Sequence, residues 1–246
     1  MKKLYETKAV LHSLIWLAFY LVLNTITGNI ANALKMDSDV ISAIPNLLLA
    51  VICFVYLLRT KISTDIGLLT KPTEKSSTML FYLPLLVLPF LSLIYGFNTS
   101  LSPLNIVLTL CMFIGVGFME EIVFRGLMLR ALEKKWNRYA VVAFISFTFA
   151  IGHIVSMVAV QQSGMDTVLQ IINAFIVGFM FMQVFLASKN LTVCVITHIL
   201  YNFIAHISMV NSTHTIIIVI NAIITVLYLI YLIFRSKNFR AYFKKA

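Results

Sequence analysis

Acidic residues are scarce in this chain. Only 11% of its 246 residues are charged and only nine are Asp or Glu, against a hydrophobic share of 61%. With a positive mean hydropathy, this excludes a large soluble domain and points to a polytopic membrane protein. Cysteine is equally sparse. Cys53, Cys111 and Cys194 are odd in number and lie within apolar runs, so no disulfide framework is implied and small buried side chains are the simpler account. No Pro/Gly/Ser stretch is long enough to separate domains, and there is no low-complexity tract or internal repeat. A single transmembrane domain over residues 1–246 is expected. The metal-binding spacing H-E-x-x-H is also missing, so a zincin site is not supported.

What is present is apolar sequence. Runs near 9–27, 40–58, 79–95, 104–132, 139–160, 167–187, 190–208 and 214–234 can each cross a hydrocarbon core of about 30 Å as a helix rising about 1.5 Å per residue. They are continuously apolar rather than alternating, which favours helices over a β-barrel. The fold class expected is all-α, a polytopic membrane bundle of about eight transmembrane helices.

The net charge of +10 does not point to nucleic acid, because the basic residues flank apolar runs. Lys2, Lys3 and Lys8 precede the first run. Arg59, Lys61, Lys71 and Lys75 follow the second, and Arg130, Lys134, Lys135 and Arg138 follow the fourth. Lys189 follows the sixth, and Arg235, Lys237, Arg240, Lys244 and Lys245 follow the last, while the intervening loops hold only Lys35. Every second loop is basic, which predicts that both termini are cytoplasmic. The C-terminal RSKNFRAYFKKA reads as a topology anchor, with an anionic leaflet as the alternative contact. The start, MKKLYETK followed by apolar residues and Ala31-Asn32-Ala33, resembles a secretory signal, but the apolar part is long and Asn24 and Asn29 separate it from the cleavage-like site. A retained first span is expected. The loop 59–78 is expected to be a tether rather than a gate.

Against this apolar background stand Glu120, Glu121 and Arg125, the first two being the only acids inside the runs. A charge at bilayer depth costs roughly 2.5–3.5 kcal/mol on insertion scales and is by default a functional candidate. Glu121 and Arg125 are i and i+4 on a helix and can pair. Glu120 points about 100° away from Glu121 and needs another partner. Candidates lie elsewhere: Phe149 and His153 are four apart in the fifth run, and His198, Asn202 and His206 form a four-residue stripe in the seventh. Counted from the cytoplasmic ends, Glu120 lies roughly 18 Å deep, His153 roughly 22 Å, His198 roughly 12 Å and Asn202 roughly 18 Å. His206 is a secondary candidate nearer the outer surface, and Asn173, Gln183, Asn221 and His12 are read as helix-to-helix hydrogen bonders.

Such a set can direct water at a carbonyl. Glu120 would act as general base, His153 would orient the same water, and His198 with Asn202 would donate to the oxyanion. A divalent metal such as zinc, held by Glu120, His153 and His198, would be another way to activate the water. The sequence leaves both routes open. The same carboxylates would suit a proton- or cation-coupled transporter, although the broken helices and repeats of one are not evident. A peptide-binding immunity protein would need no chemistry at all.

The pattern Glu120-Glu121-x-x-x-Arg125, Phe149-x-x-x-His153 and His198-x-x-x-Asn202 resembles the CAAX protease and bacteriocin-processing (CPBP, or Abi) family of intramembrane endopeptidases, related to the type II CAAX prenyl endopeptidases. The resemblance spans about 104–208, which would be the catalytic core. It implies a helical membrane protein with a polar cavity opening toward the cytoplasm, Glu120 as the water-activating acid and His153 as its partner. His198 and Asn202 would face the oxyanion or a metal, Glu121 and Phe149 would support the site, and Arg125 would pair with the glutamates. A metalloprotease and a metal-free glutamate protease are both implied. The Ile-, Lys- and Asn-rich composition points to a low-GC bacterium, so a peptide or protein substrate at a bacterial cell membrane is expected, through bacteriocin, leader or signal-peptide processing or self-immunity.

Overall fold

The computed structural model describes residues 1–74, 82–154, 163–209 and 214–244. Among these, helices account for the regular structure, beside one isolated β-bridge between Phe97 and Ser208. In chain order they are α1 (Lys2–Thr7), α2 (Ala9–Leu34), α3 (Ser38–Thr60), α4 (Ile62–Asp65) and α5 (Leu83–Val87), which tightens into a 3-10 helix over Leu88–Tyr95. Next, α6 (Pro103–Glu121) runs on through a π-helical stretch, Ile122–Met128, into α7 (Leu129–Leu132). They are followed by α8 (Arg138–Ile151) with a 3-10 turn at Gly152–Ile154, then α9 (Gly164–Ser188), α10 (Leu191–Ile207), α11 (Thr215–Arg235) and α12 (Lys237–Lys244).

Local chemistry sets the ends. The side chains of Asp37, Ser102, Asn137, Ser163 and Asn190 each accept a hydrogen bond from a first-turn backbone N–H, capping α3, α6, α8, α9 and α10. Lys35, Lys61 and Lys189 close α2, α3 and α9 in the left-handed conformation.

Among the described residues five helices are long and apolar enough to cross a membrane: Ala9–Leu34, Ser38–Thr60, Pro103–Leu132, Gly164–Ser188 and Thr215–Arg235. This is a polytopic helical membrane protein, but the expectation of eight spans needs correction. The other three apolar runs form shorter helices, Pro84–Tyr95, Arg138–Ile154 and Leu191–Ile207. Pro84 sits in the first turn of the first of these, and Pro89 withdraws a backbone donor where that helix passes from α to 3-10. Residues 79–81 of that run and 155–160 of the fifth lie outside the described residues.

The basic loops meet at one end of the bundle. There the Tyr5 hydroxyl donates to Asp65, and the Thr73 N–H donates to the Ser188 carbonyl at 3.1 Å. Glu74 accepts from Ser236 Oγ at 2.6 Å and from the Asn238 N–H at 2.7 Å. Arg138 Nη1 donates to the Tyr242 carbonyl at 2.7 Å. The described part of the loop after α3 is therefore hydrogen-bonded to α9, α10 and the segment that begins α12. At the opposite end His206 Nδ1 lies 3.2 Å from Asp39 Oδ2, and the Asn98 N–H donates to the Ile207 carbonyl at 2.9 Å.

Helix α6 runs through the middle. A Cβ at Gly115 would stand 2.4 Å from the Asn46 carbonyl carbon on α3, and one at Gly117 2.9 Å from Ile199 Cγ1 on α10. Small residues thus let α6 touch both neighbours closely. Outward-facing Phe19, Val22 and Ile26 on α2, Leu48 and Ile52 on α3, and Ile223 and Leu227 on α11 are exposed and apolar, the exterior that lipid requires.

Candidate active site

Glu120 and Glu121 end the regular part of α6, and the π-helical stretch begins at the next residue. Such stretches widen a helix and are frequent at functional sites. The two carboxylates have different surroundings.

Glu121 is fully buried, as is Arg125, whose Nη1 lies 3.0 Å from Glu121 Oε1. Arg125 Nη2 donates to the Gly178 carbonyl of α9 at 2.8 Å, and its guanidinium sits 4.1 Å from the centroid of Phe149 on α8. A Cβ at position 178 would lie 2.6 Å from Phe149 Cδ1 and 2.8 Å from Arg125 Nη2, so only glycine leaves room for this arrangement. His198 Nδ1 approaches Glu121 Oε1 at 2.9 Å. A carboxylate at Nδ1 fixes the ring hydrogen there and leaves Nε2 facing the other way. Phe149 and Phe181 flank the imidazole at centroid distances of 6.0 and 5.2 Å. Desolvating an ion pair is costly, and these extra donors and the aromatic face supply the compensation it needs.

Glu120 is the less enclosed carboxylate, its side chain 12% exposed. Its Oε1 accepts from the hydroxyl of Tyr20 on α2 at 2.6 Å, and its Oε2 stands 3.5 Å from His198 Nε2. That gap is longer than a good hydrogen bond and is one that a water bound to both atoms would span. His153, in the 3-10 turn after α8, pairs its Nδ1 with the Phe149 carbonyl at 3.2 Å, which leaves Nε2 available.

Two cavities meet here. A chamber of about 310 Å³ is lined by Glu120, His153, Gln170, Asn173, His198 and Asn202, among others. A groove of about 560 Å³ is lined chiefly by apolar residues of α2, the π-helical stretch and α8, from Val10, Leu14 and Trp136 at the basic end past Phe124 and Met128 to Ser38, Asp39 and Ser42 at the other. Tyr20, Glu120, Phe149 and His153 line both. By chain position Gln170, Asn173 and His206 lie between the Glu120 layer and the end away from the basic loops, so the polar chamber extends toward that sparsely charged end. Only the groove's lining reaches the basic end.

The structure therefore brings Glu120, Glu121, Arg125, Phe149, His153, His198 and Asn202 around one junction, with Asn202 one turn beyond His198 on the chamber wall. His206 also lines the chamber. The amides read as helix-to-helix hydrogen bonders behave so: Asn173 Nδ2 donates to the Tyr201 hydroxyl at 2.8 Å, and Asn221 Nδ2 to Asn173 Oδ1 at 2.9 Å. His12 pairs with Tyr56 at 2.8 Å. Gln183 is buried without a hydrogen-bond partner among the described residues. Sequence reasoning missed Tyr20 and Gly178. Tyr20 lies about as far into its helix as Glu120 does into its own, so extending the depth count to phenols would have found it. For a metal the donors do not fit: among the described residues no three His, Cys, Asp or Glu side chains gather closely enough to share an ion.

Residues 102–204 match the family model of the type II CAAX prenyl endopeptidases, Rce1-like. The match runs from the N-cap of α6 to near the end of α10 and contains all three motifs. Neither a curated protein nor a solved structure matches the chain. Through residues 102–204 this similarity supports a CAAX-type intramembrane protease, a peptide hydrolase.

Proposed function

We propose that this chain cleaves a short hydrophobic or leader-bearing peptide within a bacterial cell membrane, as in bacteriocin, leader or signal-peptide maturation or self-immunity, with Glu120 activating the water. The observation that carries this reading is the meeting of the apolar groove and the polar chamber at Glu120 and His153. The groove suits the apolar segment of a peptide, and the chamber suits the water that must reach it. With the basic loops and both termini in the cytoplasm, the peptide enters along the groove from the cytoplasmic side. Catalysis lies in a core at 104–208 within one transmembrane domain.

Tyr20 holds Glu120 Oε1, so Oε2 takes the proton of the attacking water while its oxygen bonds to the scissile carbonyl carbon. His153, its Nδ1 hydrogen committed to Phe149, accepts at Nε2 from the same water and aims it. The carbonyl π electrons move onto oxygen, where the Asn202 amide and His198 Nε2 are placed to donate. Glu121 and Arg125 hold His198 in place. Glu120 then passes its proton to the departing amine as the C–N bond breaks, which restores the carboxylate.

Comparison of the surface and secreted peptides of cells bearing wild type, Glu120→Ala or His153→Ala tests this. An uncut precursor should accumulate in both variants while the protein still inserts. Retained cleavage in both removes the reading, and ion flux in proteoliposomes that depends on Glu120, without proteolysis, replaces it with a transporter.

A further inference from the structure

The C-terminal segment has no part in the hydrolytic site, yet it walls a separate cavity. In α12 the apolar Phe239 and Tyr242 are buried, whereas Lys237 and Lys244 face outward. Beside it lies a groove of about 620 Å³, on the opposite flank of α8 from the one that reaches Glu120. Phe175 and Phe179 of α9, Leu229 and Ile233 of α11 and Phe243 of α12 line its apolar length, and Arg240 and Lys244 line its α12 end. Among the described residues no acidic side chain lines it. Phe175 lies fourteen residues before Lys189, so the lining extends roughly 21 Å from the basic end at helical rise.

Arg240 is held in position there. Its Nη1 donates to the Ile233 carbonyl at 3.1 Å and to the Phe234 carbonyl at 2.6 Å. The guanidinium thus caps α11 and still has other N–H groups to offer. Deeper in, Ser146 lines the groove, is 1% exposed, and its hydroxyl has no hydrogen-bond partner among the described residues. A buried hydroxyl without a partner marks a place where an oxygen of an occupant fits.

We propose that this groove binds an anionic phospholipid, its phosphate on Arg240 and Lys244, an ester oxygen within reach of Ser146 and one acyl chain along Phe175 and Phe179. The charge pattern selects the occupant. An apolar trough alone would take any acyl chain, but a cationic end at the height of the basic loops, with no carboxylate on its walls among the described residues, favours a headgroup with net negative charge. The site is separate from the hydrolytic one, and its function is to seat α12 and the ends of α8, α9 and α11 against the membrane surface.

The test uses the full chain in detergent, with native mass spectrometry after exchange into phosphatidylglycerol or phosphatidylcholine of identical acyl chains. Wild type should retain one phosphatidylglycerol, preferred over phosphatidylcholine by roughly thirty-fold, the value expected for two surface cations. Arg240→Gln with Lys244→Gln should reduce that preference to near unity. Because Arg240 also caps α11, Ala143→Trp serves as a second variant: Ala143 is exposed on the groove wall, so an indole there occupies the trough while Arg240 and Lys244 are kept, and retention of both lipids should fall. Equal retention of the two lipids by wild type overturns the proposal, as does undiminished phosphatidylglycerol in Ala143→Trp. A dimer mass that Ala143→Trp abolishes would assign the groove to a second copy and also overturn it.

Discussion

Replacing Tyr20 by Phe removes one oxygen and leaves the ring in place. In the native chain that oxygen donates to Glu120 Oε1 at 2.6 Å, and the bond is the contact through which α2 engages the carboxylate we assign as the base. A hydrogen bond to a charged group is worth about 1.5–3 kcal/mol, or roughly ten- to a hundred-fold in rate if the whole of it acts on the transition state. Not all of it does. The donor also stabilises the charged carboxylate before it accepts a proton, so its loss favours proton uptake and offsets part of the lost positioning. The expected outcome is the lower end, about a ten-fold fall in kcat with KM unchanged, because the Phe ring still lines the groove. Glu120 is partly exposed, so water can replace the lost donor and the thermal unfolding of the purified protein should not move. Tyr56→Phe is the matched control: its hydroxyl pairs with His12 at 2.8 Å, and Tyr56 lines neither site cavity, so cleavage should be untouched. Assayed with a quenched peptide in proteoliposomes, a Tyr20→Phe enzyme with wild-type kcat would refute the reasoning.

Arg125→Leu leaves Glu121 buried without its cation, and the purified protein should lose about 3–5 kcal/mol of stability by thermal unfolding. Adding Glu121→Leu should restore most of that stability but not cleavage, since His198 then lacks its Nδ1 partner. Gly178→Ala drives a methyl into Phe149 and Arg125 and should cost about 1–3 kcal/mol in the same melt; an unchanged melting temperature would show that the neighbours can yield. Asp39→Asn alters a partly exposed contact with His206 and should change stability by no more than about 1 kcal/mol, with cleavage retained.

Helix periodicity made part of this site legible. The four-residue spacing of Glu121 and Arg125 foretold their ion pair, and the 100° offset of Glu120 foretold that its partners would come from other helices. Depth counting placed His153, His198 and Asn202 near the same layer, and all three line the chamber with Glu120. Periodicity gives the face a residue occupies but not which helix lies opposite, so neither the bond of His198 Nδ1 to Glu121 nor the approach of Tyr20 from α2 was readable. Hydropathy also overestimated the spans. It scores apolar content, whereas Pro89 alters the backbone hydrogen bonding that makes a long helix. Gly178 was hidden for a related reason, since a close approach between α9 and Phe149 of α8 is a property of two helices and leaves no mark in either alone.

The adjacency of the two glutamates has a physical sense within this arrangement. Hydrolysis inside a membrane needs water and an apolar chain at one place, and the medium around the protein keeps them apart. Consecutive residues on a helix differ in direction by about 100°, so one position of α6 can face the packed interior while the next faces a cavity. Glu121 takes the inward direction, where Arg125 compensates its charge and its carboxylate fixes the imidazole of His198. Glu120 takes the other direction and stands at the junction of groove and chamber. His198 joins them, with Nδ1 on Glu121 and Nε2 toward Glu120, the carboxylate we propose as the base. Partners, rather than any difference between the residues, separate the two roles: a carboxylate that already accepts from an arginine and an imidazole is poorly placed to take a proton from water, whereas one facing a water-sized gap beside a second imidazole is well placed to do so.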